Sequence, residues 1–490
     1  MKNRLMESDW LIEATIDELQ QKLNTFEITS NELVYMYLHR IAEYDKAGPV
    51  LNSVLEINPE ALQQAAALDY ERKTRGSRGA LHGIPVLIKD NIETNDKMHT
   101  SAGSILLAES YAKEDAFIVK LLREAGAIIL GKTNLTEWAN FIAENMPSGY
   151  SSRGGQVINP YGKEFTVGGS SSGSGAAIAA SLATVSIGTE TSGSIISPAS
   201  QNSLVGIKPT IGLVSRTGII PISHTQDTAG PMARTVKDAA ILLRFLQGKD
   251  DKDPVTLSNE LLHVDYTTHL LKDGLKGKKI GIARRPYFNG LSESMLQVLD
   301  QAIAKVKELG ADVIDPVSIP SADEKWDINV MKYEFKSDLN AYLKTIHPKH
   351  GLHSLDDVIH KNEEIGEKAL KYGQKIMLDA AKTSGNLTDA AYLKSLLKDA
   401  YLSRENGIDA VLKTNDLDAI VFPSYYGSSI AAKAGYPSIT VPAGYTDEGE
   451  PVGITFTSTA FSEPTLLEIA YSYEQATQHR IIPPSCLLDN

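Results

Sequence analysis

Cysteine is nearly missing: Cys486 is the only one in 490 residues, so neither an intrachain disulfide nor a zinc site built on cysteines can form. Such sparse use fits a reducing cytoplasm. Long apolar runs are missing too. The stretch around Ser170 to Ser186 is low in charge but full of serine and glycine, and nothing elsewhere approaches the roughly 20 apolar residues that span a bilayer. The opening "MKNRLMESDWLIEATIDELQ" puts acidic residues where an export signal needs an unbroken apolar core, so no secretion is expected. Basic charge is in deficit. With 48 lysines and arginines against 61 aspartates and glutamates, the formal charge is −13, a field that repels nucleic acid and anionic membranes. Small neutral or cationic partners fit better.

What is present is an ordinary globular composition, 42% hydrophobic and 22% charged, able to bury a large core. A chain of this length folds either as two or three domains or as one large α/β unit. From Ile16 to Lys73 apolar residues recur at helical spacing; in "TSNELVYMYLHRIAEY" Thr29 or Ser30 can cap, and Leu33, Met36, Tyr37 and Ile41 share a face. An N-terminal helical layer over residues 1–75 is the expectation. "LHGIPVLIKDN" reads as a buried strand, and "DAFIVKLLREAGAIILGKTN" as a helix ending near Gly126 followed by a strand, Ala127 to Leu130. This β, α, β alternation predicts the α/β class, a sheet with helices packed on its faces. "GKDDKDPVT", Gly248 to Thr256, marks a break, after which "GLKGKKIGIARR" restarts with a strand. Residues Leu291 to Leu417 are mostly amphipathic helix, an excursion from the sheet, before "DAIVFPS" and "YPSITVPAGY" return to it as strands. "EPTLLEIAYSYEQATQ" closes as a helix with acidic residues early. The expected division is a core over 76–247, 275–290 and 415–485, with the excursion over about 291–414, all in one compact body.

The chemistry centres on "FTVGGSSSGSGAAIAAS", Phe165 to Ser181. A linker does not run straight into an apolar, alanine-rich helix bordered by strands. A phosphate cradle would want the lysine and hydroxyl of G-x-x-x-x-G-K-[ST], which do not follow Gly173 and Gly175. Gly169-Ser170-Ser171-Ser172-Gly173 matches G-x-S-x-G and would make Ser171 a nucleophile, but the late histidines His347, His350, His353, His360 and His479 sit in polar surroundings. "HPKHGLH" reads as a solvated loop rather than a metal site, and Ser395 with Lys398 as a chance S-x-x-K on an amphipathic helix. A lysine can replace histidine as base where burial lowers its pKa. Lys89, after the apolar run Ile84 to Ile88, ends a buried strand, although a strand-end lysine alone is more often a surface cation.

"FTVGGSSSGSGAAIAASLATVSIGTETSGSIISPASQNSLVGIKPTIGLVSRTGIIP" resembles the defining region of the amidase signature family, and "GIPVLIKDN", "GKTNLTEWA", "DTAGPMARTVKDAA" and "AGYPSITVPAGYTDEGEPVGITF" fall in the family's order. The resemblance runs from Ile12 to Pro483, weakest across the helical excursion. It implies a large mixed sheet covered by helices on both faces, and a Ser, Ser, Lys triad: Ser194 in "TETSGS" as nucleophile, Ser170 in "GGS" as bridge after a cis peptide, and Lys89 in "IKD" as base. Backbone N–H groups of Thr191, Ser192, Gly193 and Ser194 would form the oxyanion hole, with no metal or organic cofactor. The implied activity is hydrolysis of a carboxylic amide through an acyl-enzyme, of the general linear-amidase class, on a small-molecule or peptide amide. Alternatives are a subunit supplying ammonia to a partner and a silent binding protein on the same fold. Glu190, Ser192 and Ile196 replace the family's aspartate, first glycine and arginine; this departs from the transfer-RNA amidotransferase subunit and resembles the bacterial peptide amidases. A cytoplasmic monomer or homodimer with no membrane or nucleic-acid partner is expected. Asp227 and Arg234 are candidates to touch substrate, but read more readily as a buried pair or as separate loop anchors; Thr133, Asn134 and Asn159 read as loop-shaping residues. Glu137, Trp138, Phe141 and the Met146 to Gly149 turn are candidate substrate-lining residues.

Overall fold

The computed structural model describes residues 9–486 apart from 260 and 262. Its frame is one mixed sheet of eleven strands plus a two-stranded ribbon, with helices on both faces of the sheet. In chain order the strands are β1 (Val54–Ile57), β2 (Pro85–Lys89), β3 (Ile128–Thr133), the ribbon β4 (Tyr150–Ser151) and β5 (Gly155–Gln156), β6 (Val185–Glu190), β7 (Val205–Lys208), β8 (Thr228–Ala233), β9 (Lys279–Ile282), β10 (Asp312–Ile314), β11 (Ala419–Pro423), β12 (Ser438–Tyr445) and β13 (Pro451–Thr457). Across the sheet the order is β1-β3-β2-β6-β8-β7-β12-β13-β11-β9-β10. β2 lies parallel to both β3 and β6, with Val86 opposite Val185 and Lys89 opposite Thr133. The centre of the sheet, β6-β8-β7-β12-β13-β11, is antiparallel throughout.

Local chemistry explains the elements. β2, β3 and β6 are buried at every position, as strands covered on both faces must be, and β2 accordingly reads as an apolar run, Pro85 to Ile88, rather than an alternating one. Two N-terminal helices, Ile16–Asn24 and Ser30–Arg40, start in capping boxes: Thr15 with Glu18, and Thr29 with Glu32. In each, the threonine oxygen accepts the third N–H while the glutamate reaches back to the cap. The helix Ser172–Ala179 is buried along its whole length. A side chain at Gly173 would come within 2.3 Å of the Ser53 carbonyl and 2.4 Å of the Asn134 carbonyl, so only glycine lets this helix seat against the sheet edge.

Two edge strands depart from the helical expectation. β1 interrupts the N-terminal helices and pairs antiparallel with β3, and β10 lies inside the excursion and pairs with β9. Both are short and largely unburied, so neither carries the apolar run that marks a covered strand. β3 also runs past Leu130 to Thr133.

The excursion has a core of its own. Helices Asn329–Leu343, Leu355–Ile365 and Lys375–Ala381 bury Phe335, Leu339, Leu355, Val358 and Met377 together with Trp138 and Phe141, which follow β3. This cluster fixes the excursion over one end of the sheet. Among the described residues no helix is long and apolar enough to cross a membrane.

Candidate active site

Lys89 is the last residue of β2 and has no solvent-exposed surface. Its Nζ lies 2.8 Å from Ser170 Oγ, 2.9 Å from Thr189 Oγ1 and 3.2 Å from the Thr189 carbonyl. Burial favours the uncharged amine, and although Glu190 and Asp227 oppose it, the pKa falls from 10.5 to about 7. A neutral amine has two N–H groups and one lone pair. The Thr189 carbonyl can only accept, so one N–H is fixed there. The other can go to Thr189 Oγ1, leaving the lone pair for the Ser170 hydroxyl.

Ser170 is buried and follows a cis Gly169-Ser170 peptide. The next residue links the two loops: the Ser171 N–H donates to the Ser194 carbonyl at 3.2 Å. Ser194 follows β6 and retains 9% exposure, and that backbone hydrogen bond brings its loop beside the loop of Ser170, whose hydroxyl meets Lys89 at the end of β2. The other serines of the first loop hold structure. Ser171 Oγ donates to the Thr189 carbonyl at 3.1 Å, Ser172 Oγ to the Gly168 carbonyl at 2.5 Å and Ser174 Oγ to the Ile187 carbonyl at 3.1 Å. Ser171 is therefore a strand clip and no nucleophile.

Glu190 organises the second loop. Its carboxylate accepts the Gly193 N–H at 2.8 Å on one oxygen, and the Ile195 and Ile196 N–H groups at 2.8 and 3.0 Å on the other. The Gly193 amide is engaged, whereas no acceptor among the described residues takes the N–H of Thr191, Ser192 or Ser194. Gly193 sits at φ +83°, the left-handed conformation that lets the chain turn back under the carboxylate. The longer glutamate, first noticed only as a replacement for aspartate, thus ties down the turn.

Thr191 Oγ1 donates to Asp227, whose second oxygen accepts the N–H groups of Ile222 and Ser223 at 2.8 and 2.9 Å. Burial raises Asp227 to about 6. Arg234 is elsewhere: its guanidinium donates to the carbonyls of Ala14, Ile178 and Ala183, so the two residues are separate anchors. Thr133 meets Ser174 Oγ at 2.7 Å, Asn134 accepts from Ser151 Oγ at 2.7 Å, and Asn159 donates to the carbonyls of Thr166 and Gln201, all loop-shaping contacts.

Beside the loops lies a cavity of about 420 Å³ walled by Thr189, Thr191, Asn91, Ile219–Ile222, Asp227 and, from the excursion, Asp338, Ala341 and Tyr342. Lys89, Ser170 and Ser194 are not part of its wall, which meets Lys89 through its hydrogen bonds to Thr189. Most of this wall escaped the sequence reading, because the 216–228 loop has no periodicity. Glu137, Trp138 and Phe141 do not line it. Glu137 accepts from the Ser152 N–H and hydroxyl at 2.7 and 2.8 Å, and burial raises it to about 7. Trp138 and Phe141 belong to the apolar core under the excursion, with Met146 packed against it; their hydrophobic area drives them inward.

One group among the described residues, His224, Glu334 and Asp338, brings three metal-type ligand atoms within 4.8 Å of one another. They are already satisfied. Glu334 accepts from Ser223, Thr225 and Tyr392, and Asp338 from the His224 backbone and ring. The cluster clips the 223–225 turn to the helix Asn329–Leu343 of the excursion. His347, His350 and His353 do not gather, and Lys398 donates to the Lys325 carbonyl on an ordinary helix.

This geometry has clear relatives. The peptide amidase of Stenotrophomonas maltophilia matches at 45% identity with a TM-score of 0.90, over 96% of this chain and 98% of that one. An amidase family protein of Bacillus anthracis matches at 41% identity and TM-score 0.92, over 98% and 94%. A probable amidase of Arabidopsis thaliana is 44% identical over 492 residues, 98% of this chain and 93% of that protein. The family model described as Amidase matches residues 32–467. Matched by this family model over most of its length and by these relatives at 41–45% identity, the chain belongs to the amidase family.

Proposed function

We propose that Ser194 is the nucleophile, Ser170 the proton relay and Lys89 the base of this amide hydrolase, and that its substrates are C-terminal amides of peptides. The observation that carries the assignment is a fully buried lysine with a pKa of about 7, 2.8 Å from a serine hydroxyl. A base must be partly neutral at working pH and within hydrogen-bond reach of the proton it takes.

The Ser194 proton passes to Ser170, whose own proton goes to neutral Lys89, as Ser194 Oγ bonds to the substrate carbonyl carbon. Negative charge develops on the carbonyl oxygen, and the N–H groups of Thr191, Ser192 and Ser194 are the free donors that would receive it. The C–N bond breaks as the ammonium of Lys89 returns a proton through Ser170 to the leaving nitrogen, and ammonia departs. Water then repeats the sequence on the acyl-Ser194 ester and releases a carboxylate.

Peptide amides are favoured because the adjoining cavity, about 420 Å³, has room for a residue or two beyond the carboxamide, and because the Stenotrophomonas relative is named a peptide amidase. Its reaction class is then that of a general linear amidase. A cytoplasmic location fits the single cysteine.

The test is ammonia release from a panel of C-terminally amidated peptides, free glutamine and simple aliphatic and aromatic amides, with Ser194→Ala as blank. Peptide amides leading over a flat blank support both parts. Full turnover by Ser194→Ala overturns the nucleophile, and glutamine leading overturns the substrate class.

A further inference from the structure

Asn91 stands two residues beyond Lys89 and is 2% exposed. Its amide has one satisfied end. Nδ2 donates to Thr189 Oγ1 at 3.0 Å, the same oxygen that lies 2.9 Å from Lys89 Nζ. Oδ1 is buried and has no partner among the described residues, yet Asn91 forms part of the cavity wall. A buried acceptor without a donor is costly, and native proteins rarely leave one without a reason. The main chain of Asn91 is equally committed: its carbonyl accepts the Ile220 N–H at 2.9 Å, tying it to the apolar strip Ile219–Ile222 of the same cavity. Asn91 therefore joins the Ile219–Ile222 wall, through its backbone carbonyl, to the chain of hydrogen bonds that runs through Thr189 to Lys89 and Ser170, and its Oδ1 is left unfilled.

We propose that Asn91 Oδ1 accepts the peptide N–H nearest the scissile carboxamide, while the side chain of that residue packs on Ile219–Ile222. This rests on the peptide-amide substrate class proposed above and deepens it: the ligand is an N-acylated amide of an apolar amino acid, read at its backbone N–H. An amide without that N–H leaves Oδ1 unpaired and reacts more slowly. Because the opposite end of the same side chain holds Thr189, substrate docking and the orientation of the Lys89 amine are joined through one amide group.

The test is a cycle of two substrates and two enzymes. N-acetyl-L-leucinamide is compared with its isostere in which oxygen replaces the N–H, the acetate ester of 2-hydroxy-4-methylpentanamide, and kcat/KM is read from ammonia release alone. Wild type is expected to prefer the N–H substrate by about tenfold, the worth of one good hydrogen bond. In Asn91→Ala the preference falls to about unity, the N–H substrate losing about tenfold more than its isostere. Asn91→Asp keeps an acceptor and so keeps the preference, while its added negative charge beside Lys89 moves the acid limb of the pH profile upward. Equal turnover of the two substrates by wild type overturns the proposal whether or not the variants fold. An equal loss on both substrates in Asn91→Ala, with the preference intact, overturns it in favour of a purely structural asparagine. If wild type releases ammonia from neither substrate while it turns over simple amides, the peptide-amide reading fails and this proposal falls with it.

Discussion

Replacing Lys89 by methionine should abolish turnover and change how stability depends on pH. The lysine is fully buried, and its pKa is about 7 in place of the usual 10.5. The gap penalises the ammonium by about 5 kcal/mol, at about 1.4 kcal/mol per pH unit. Because the folded pKa is the lower one, the unfolded chain binds the extra proton between about pH 7 and pH 10.5, and stability rises with pH across that window. Below about pH 7 both states are protonated and the full cost is present. From pH 7 to pH 9 wild type should therefore gain about 2 kcal/mol more than Lys89→Met, whatever constant offset the lost hydrogen bonds to Ser170 and Thr189 impose on the variant. Denaturant unfolding of both proteins at several pH values across that range measures the difference directly. In wild type, kcat/KM should fall about tenfold per unit below about pH 7 as the amine protonates. Parallel stability profiles, or a kcat/KM that stays flat down to about pH 5, would refute a neutral Lys89.

Three further outcomes follow. Glu190→Ala removes the acceptor for three loop amides and should lower kcat by about 100- to 1000-fold with little effect on KM, read from steady-state ammonia release. Trp138→Ala empties the cluster shared with the excursion; since the indole N–H has no partner among the described residues, the loss of about 3–5 kcal/mol in a denaturant titration is a packing loss. His224 is held above its ordinary pKa by its hydrogen bond to Asp338, and Glu334 adds to this while burial and Arg216 oppose it. That contribution is full below about pH 6.5 and is lost as pH rises through the raised value. Amides of helix Asn329–Leu343 should accordingly exchange faster above this window, after correction for intrinsic rates, and His224→Gln should abolish the difference.

The legible parts of the molecule are those whose signal is local. β2 with Lys89 at its end, the small-residue helix after Ser170 and the second serine loop could be read because burial on both faces, or a backbone turn, leaves its mark on neighbouring residues. β1 and β10 are four and three residues long, too short for periodicity to separate them from the helices around them. The contacts Asn91–Thr189 and Thr191–Asp227 join positions 98 and 36 residues apart, and nothing in their flanking sequence announces the partner. Trp138 and Phe141 were misplaced for a related reason: an aromatic near a catalytic loop looks the same in sequence whether it faces a ligand or a core.

The sheet also separates two kinds of inheritance. Lys89 and Ser194 issue from the carboxyl ends of β2 and β6 and Ser170 from the loop before the helix Ser172–Ala179, whereas Asp338, Ala341 and Tyr342 of the cavity wall come from the helix Asn329–Leu343, inserted between β10 and β11. One part of the cavity wall is thus written in a stretch of chain more than a hundred residues from the proposed reacting groups, while Asn91, Thr189 and Thr191 lie beside them. Grafting another relative's excursion onto this frame would be expected to exchange the acyl group accepted while leaving the acid limb of the pH profile where Lys89 sets it.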